Sequence, residues 1–204
     1  MGKILVPDVT EWGSPPKDYG LIVPDGWFQI RLDPELRDRG IIALADQQFR
    51  GVDNAPHVKE RMMRDLQKQA KAAFRRGGIE LYISTLTVGD VPLASSLLVS
   101  ISPPDSWPRN ATVHELAEHL EQRAKHVTLV DLPVAGKAAR ERFREDPDPE
   151  AQMGNTLPTT TVAFHIPIPA TSNVLTLTFS TPVDPLADQM VELFDVVAET
   201  LHWM

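Results

Sequence analysis

The chain has 204 residues, is 42% hydrophobic and carries a formal net charge of -8, so one core can bury roughly 70% of the surface its unfolded chain exposes. It has no cysteine, which excludes a disulfide framework, a thiolate zinc site and a cysteine nucleophile. The acidic balance disfavours a nucleic-acid partner, and no segment reaches the roughly 20 apolar residues of a membrane span or resembles a signal peptide, so a cytoplasmic setting is expected.

Residues 1 to 19 contain Pro7, Gly13, Pro15 and Pro16 without a stable period. They are predicted to form an irregular arm, held against the body through Trp12 and Tyr19, with residues 20 to 204 as a single domain. Leu21-Ile22-Val23 and Trp27-Phe28-Gln29-Ile30 flank Pro24-Asp25-Gly26, a hairpin signal in which Asp-Gly supplies the positive φ of a tight turn. Asp33-Pro34-Glu35 reads as a helix start, capped by the Asp side chain with Pro at the first helical position. Gly40 is a potential early break before Ile41, Ile42, Leu44 and Ala45 continue the pattern towards Phe49. From Asn54 to Arg76, three- and four-residue steps place Val58, Met62, Leu66, Ala70, Ala73 and Phe74 on one helical face.

Gly77-Gly78 is suited to ending that helix in a left-handed conformation. Ile79, Leu81 and Ile83 then alternate as a strand, and Leu93 to Ile101 supplies a second run after Val88-Gly89-Asp90. Thr112-Val113-His114-Glu115 matches a capping box opening a helix that runs to about Lys125. Strands are expected at 127–133, 137–144, 158–168 and 173–181, with Glu145-Asp146-Pro147-Asp148-Pro149-Glu150 as a loop between the two pairs. Asp184-Pro185 opens a last helix with Leu186, Met190, Leu193, Phe194, Val197 and Leu201 as its apolar stripe. Asp188, Glu192, Asp195 and Glu199 form its wet face. Several strands, 127–132 among them, read as apolar on both faces. The fold class is α/β (α+β): an antiparallel sheet of six to seven strands flanked by helices on both faces, an α/β/α sandwich.

Val23-Pro24-Asp25-Gly26-Trp27, the stretch from Val130 to Arg144 around Gly136, and Val174 to Pro182 leading into the last helix together resemble the PsbP/Mog-type family, and the chain is similar to uncharacterised actinobacterial members. The resemblance implies an antiparallel sheet between helices. The helix at 54–76 has no counterpart in that pattern. Roles in the family range from photosystem support to binding a small GTPase, so the resemblance by itself selects no function.

Local chemistry is sparse. His114-Glu115-Leu116-Ala117-Glu118-His119 approaches the zincin pattern H-E-x-x-H, but five helical steps set the imidazoles about 140° apart, and a zinc pair needs i, i+4. Ala135-Gly136-Lys137 lacks the first Gly and the Ser/Thr of a phosphate loop. The acidic loop at 145–150 lacks the glycine of an EF-hand. No metal, cofactor or catalytic residue is assigned.

Two binding readings stand. Lys59, Arg61, Arg64, Lys68, Lys71, Arg75 and Arg76 lie on one helix of an acidic protein. They form either a solvated face or a docking surface for an acidic protein partner or for the acidic C-terminal helix of a second copy. Met62 and Met63 would add adaptable contact there. The first functional expectation is therefore a non-enzymatic adaptor, assembly factor or secretion-linked chaperone. The alternative is a pocket for a small apolar ligand, with or without weak hydrolytic activity, lined by Trp27, Tyr82, Trp107 and His165.

Overall fold

The computed structural model describes residues 13–51, 56–89, 91–102, 107, 111–122, 126–147 and 157–204. Their order is β1 (Tyr19–Gly20), β2 (Trp27–Arg31), α1 (Pro34–Gln48), α2 (Pro56–Arg75), β3 (Gly78–Ser84), β4 (Thr87–Val88), β5 (Val91–Pro92), β6 (Ser96–Ser102) and α3 (Val113–Glu121). There follow β7 (Val127–Leu132), β8 (Gly136–Glu145), β9 (Thr159–Pro167), β10 (Val174–Thr181), a 3₁₀ turn (Asp184–Leu186), α4 (Ala187–Glu199) and β11 (His202–Trp203). Seven strands form one antiparallel sheet in the order β2-β3-β6-β10-β9-β8-β7.

Side-chain parity divides the core. Leu97, Val99, Val162, Phe164, Leu177 and Phe179 point to the face covered by α4, where Phe194 stacks on Phe179 with centroids 4.9 Å apart. On the opposite face α1 and α2 cover β2, β3 and β6 through Ile30, Leu32, Ile41, Leu44 and Ala70. The same face carries α3 over the other end of the sheet, where Leu116, Ala117 and Leu120 meet Ala139 and Val174. The molecule is thus an α/β/α sandwich. β9, buried at seven consecutive positions from Thr160 to Ile166, is its doubly covered strand.

The starts of α1 and α3 form for the expected reasons, whereas Asp184-Pro185 makes a 3₁₀ turn without a side-chain cap before α4. Asp33 Oδ1 accepts from the Glu35 N–H at 2.8 Å, satisfying a donor that has no partner within the helix. Thr112 and Glu115 complete the reciprocal box, with the Thr112 N–H donating to Glu115 at 2.7 Å and the Glu115 N–H to Thr112 Oγ1 at 3.3 Å. The Thr112 backbone and hydroxyl donors hold the Glu115 carboxyl below the usual carboxylate range. Gly77 ends α2 at φ 90°, and a Cβ there would lie 2.2 Å from the Ile101 carbonyl oxygen. Only glycine fits that close approach.

Four sequence expectations are corrected. Gly40 does not break α1, which runs unbroken from Pro34 to Gln48. A Cβ at Gly40 would meet Ile30 Cγ2 at 3.3 Å, so a small residue lets the helix lie close on β2. Residues 21–23 do not pair with β2. The turn forms, with Gly26 at φ 84°, but β2 pairs with β3 instead. The backbone of Ile22 is satisfied by the Thr200 hydroxyl, at 2.9 Å from its N–H and 3.4 Å from its carbonyl. Tyr19 and Gly20 pair with Trp203 and His202, and the Lys17 N–H donates to the Met204 carbonyl at 2.7 Å, tying residues 17–20 to the C-terminal strand; residues 1–12, Trp12 included, lie outside the described residues. Lastly, β7 is not covered on both faces: it is the terminal strand of the sheet, and of its residues only Leu132 is buried.

Candidate functional site

Only Ala70 is buried among the twenty residues of α2. Its contacts are with α1 and β3, through Met63, Leu66, Ala70 and Ala73. Taking 100° per residue, Arg61, Arg64, Lys68, Lys71 and Arg75 fall within an arc of about 80°, opposite Leu66 and Ala70. Along the axis the stripe extends for about 21 Å. All five cations are exposed. Arg64 lies 3.7 Å from Glu60. Among the described residues no carboxylate forms an ion pair with Arg61, Lys68, Lys71 or Arg75. Lys59 stands apart, on the far side of the helix, and bonds Asp46 of α1 at 2.5 Å. Of the seven cations read as one surface, five therefore form one stripe, Lys59 is a structural link between α1 and α2, and Arg76 lies just past the end of α2.

Two of the four carboxylates on the acidic face of α4, Asp188 and Asp195, are engaged within the chain. Arg140 makes a two-pronged contact with Asp195 at 2.7 and 3.1 Å. Arg142 reaches Asp188 at 2.6 Å, and Arg144 reaches Asp184 at 3.2 Å. Alternate residues of β8 thus face carboxylates on α4 and on the turn before it, a ladder that pins the helix to the sheet. Sequence reasoning missed it. The signal was present as Arg at every second position of a strand and Asp at helical spacing.

The four residues grouped as pocket lining do not meet. Trp27 and Tyr82 lie on the α4 side of the sheet, Trp27 packing edge-on against Phe194 with centroids 6.5 Å apart. The Tyr82 hydroxyl donates to Glu80 Oε2 at 2.9 Å and accepts from Gln29 at 3.0 Å, while the Tyr19 hydroxyl donates to the same Glu80 oxygen at 2.7 Å. Burial and this shared carboxylate push both phenols well above their ordinary range.

Trp107 and His165 lie on the opposite face and do touch, with ring centroids 5.3 Å apart. His165 Nε2 lies 3.1 Å from Glu141 Oε1 and its Nδ1 3.2 Å from the Thr176 hydroxyl. With a proton on Nε2, the imidazole donates to Glu141 and accepts from Thr176, so every polar atom of the ring is satisfied. This hydroxyl–imidazole–carboxylate chain has the composition of a nucleophile relay. However, Thr176 and His165 are both buried and Trp107 packs on the imidazole. His119 also packs edge-on against Trp107, with ring centroids 5.5 Å apart. Among the described residues no cluster of three or more His, Asp or Glu is placed to hold a metal. Asp148, Pro149 and Glu150 of the acidic loop lie outside them. No described helix is long and apolar enough to cross a membrane.

No protein-family model matches the chain, and no curated protein does. Solved structures similar to it include LpqN of Mycobacterium tuberculosis, a protein involved in cell envelope biogenesis, at 14% identity and a TM-score of 0.47 over 94% of this chain and 86% of that one. Cyanobacterial PsbP (CyanoP) from Synechocystis is also similar, at 16% identity and a TM-score of 0.36 over 91% of this chain and 86% of that one.

Proposed function

We propose that the chain is a non-enzymatic accessory protein that docks an acidic protein partner along α2. The observation that carries this reading is the stripe of Arg61, Arg64, Lys68, Lys71 and Arg75. It is exposed and mostly free of ion pairs on a chain of net charge -8. The arginines of β8, by contrast, are engaged within the chain. Five like charges along one helix repel one another and contribute nothing to the fold beneath them. A complementary acidic surface would relieve that repulsion and speed encounter.

Beside the stripe, Met62, Leu66, Leu44 and Ile83 border a groove of about 400 Å³. There an apolar anchor of the partner gains burial while the cations set its orientation. The burial of Thr176 and His165, with Trp107 packed on the imidazole, supports the non-enzymatic half of the proposal. The test is a triple reversal, Arg61→Glu, Arg64→Glu and Lys68→Glu, compared with the unaltered chain in capture of partners from native lysate. Loss of an acidic partner with an unchanged thermal midpoint is expected. Equal capture by both forms removes α2 from the account.

A further inference from the structure

The geometry points to a second, independent surface: the outer edge of β7 pairs with the β7 edge of another copy of this chain, joining two sheets across a two-fold axis. This goes beyond the α2 reading, since α2 covers β3 and β7 ends the opposite edge of the sheet.

Backbone direction comes first. The Arg142 N–H donates to the His126 carbonyl at 3.3 Å, and register pairs Thr128 with Arg140, Val130 with Ala138 and Leu132 with Gly136. In an antiparallel ladder every second residue exchanges both of its bonds with the partner strand. Thr128, Val130 and Leu132 therefore turn their backbone groups inward to β8, and Val127, Leu129 and Asp131 turn theirs outward. Among the described residues no strand takes them up. β7 itself carries few of the usual edge protections: it has no Lys, no Pro, an unshifted register and one charge in six residues. Leu129 is 42% exposed at its centre.

The occupant follows from register. Two copies of β7 laid antiparallel can match all three outward residues only when Leu129 faces Leu129. Val127 then faces Asp131 twice, and six backbone hydrogen bonds close the seam. On one face the exposed Leu129 pair cover each other, and on the other Thr128 faces Val130. The two Asp131 carboxylates end about 14 Å apart along the strand direction, beyond the screening length of about 8 Å at physiological salt. A shift of two residues in the partner would lose a bonded pair, and a larger shift would set Asp131 against Asp131. A cleft of about 350 Å³ bordered by Thr128, Val130, Leu132 and Glu199 leaves space beside the seam. The strand edge alone buries less than the roughly 1,200 Å² of a tight interface, so association is weak.

Sedimentation of the purified chain should show mass rising from 22.7 kDa towards twice that value at concentrations on the order of 100 μM. Leu129→Pro removes one outward N–H at a position where an edge strand tolerates proline. It should abolish the rise while leaving circular dichroism unchanged. Because the chain has no cysteine, Leu129→Cys provides a second test that does not depend on the proline variant folding. Facing bonded residues lie about 5.5 Å apart at Cα, inside the disulfide range of about 4.4–6.8 Å. Mild oxidation should then cross-link this variant about tenfold faster than Ile22→Cys, an exposed site away from the edge. A monomer at every concentration, a dimer indifferent to Leu129→Pro, or equal cross-linking at the two cysteines would overturn the proposal.

Discussion

The β8 ladder allows a quantitative prediction, because one type of ion pair is repeated along one strand at different depths. Arg140 and Asp195 have side chains 17% and 37% exposed, whereas Arg144 and Asp184 are both 53% exposed. Hydrogen bonds to charged groups contribute about 1.5–3 kcal/mol when shielded; exposed pairs contribute about 0.2–1 kcal/mol. Arg140 makes two such bonds, and its guanidinium carbon also lies 5.8 Å from the Phe164 ring centroid. Asp195 remains more than a third exposed, so water weakens the pair. A cycle of Arg140→Met, Asp195→Asn and the double variant should give a coupling of about 1.5 kcal/mol. The matching cycle on Arg144 and Asp184 should give about 0.5 kcal/mol or less. Urea denaturation reads both, provided the m-value is unchanged. Asp195→Asn alone, which leaves a mostly covered guanidinium without its anion, should cost about 2 kcal/mol and lower the thermal midpoint by about 4–8 °C in a chain of this size. Equal couplings at the two rungs would refute the argument that burial sets their strength.

Two further outcomes are expected. The chain has two tyrosines, and both donate to Glu80 with pKa values raised by burial and that carboxylate. Alkaline titration followed at 295 nm should show no tyrosinate near pH 10–11 while the fold persists, then both together on unfolding. The sign is fixed by linkage: the folded state keeps protons that the unfolded chain loses above about pH 10, so this contribution is whole below that pH and falls as pH rises through it. Gly77→Ala should cost about 3 kcal/mol or more, since it adds a clash with the Ile101 carbonyl to the strain of a positive φ. Gly51→Ala, with φ 79° and no atom of the described residues within 4 Å of the added atom, should cost only about 1 kcal/mol. Similar losses at the two sites, measured by urea denaturation, would show the clash to be relieved elsewhere.

Local signals foretold much of this fold. Asp33-Pro34, Thr112 with Glu115, and Gly77 each act within a few residues of themselves, and each marks the helix end it was expected to mark. The sheet's antiparallel class and its two-sided helical cover were likewise legible from alternating and three-four patterns. Relations between distant residues were not. Tyr19 pairs with Trp203, and Ile22 is satisfied by Thr200, so the first hairpin yields to partners almost the whole chain away. Parity gives the face of a strand residue relative to its neighbours, but the strand order decides which residues of other strands share that face. Tyr82 and His165 were therefore grouped although they lie on opposite sides of the sheet. The basic character of α2 was visible in composition, and its arrangement as one stripe follows from helical geometry once the helix is established. What the sequence could not supply was the pairing of Lys59 with Asp46 and the engagement of two α4 carboxylates by β8. Those contacts separate cations that serve the fold from cations left free.

The central claim is tested most directly by capturing partners from native lysate with the unaltered chain and with the Arg61→Glu, Arg64→Glu, Lys68→Glu variant, each at low and at raised salt. The account predicts a stoichiometric acidic protein on the unaltered chain, weakened by salt because the contacts are exposed, and absent from the folded variant. Retention of the same protein by the variant, or its replacement by nucleic acid, would contradict it.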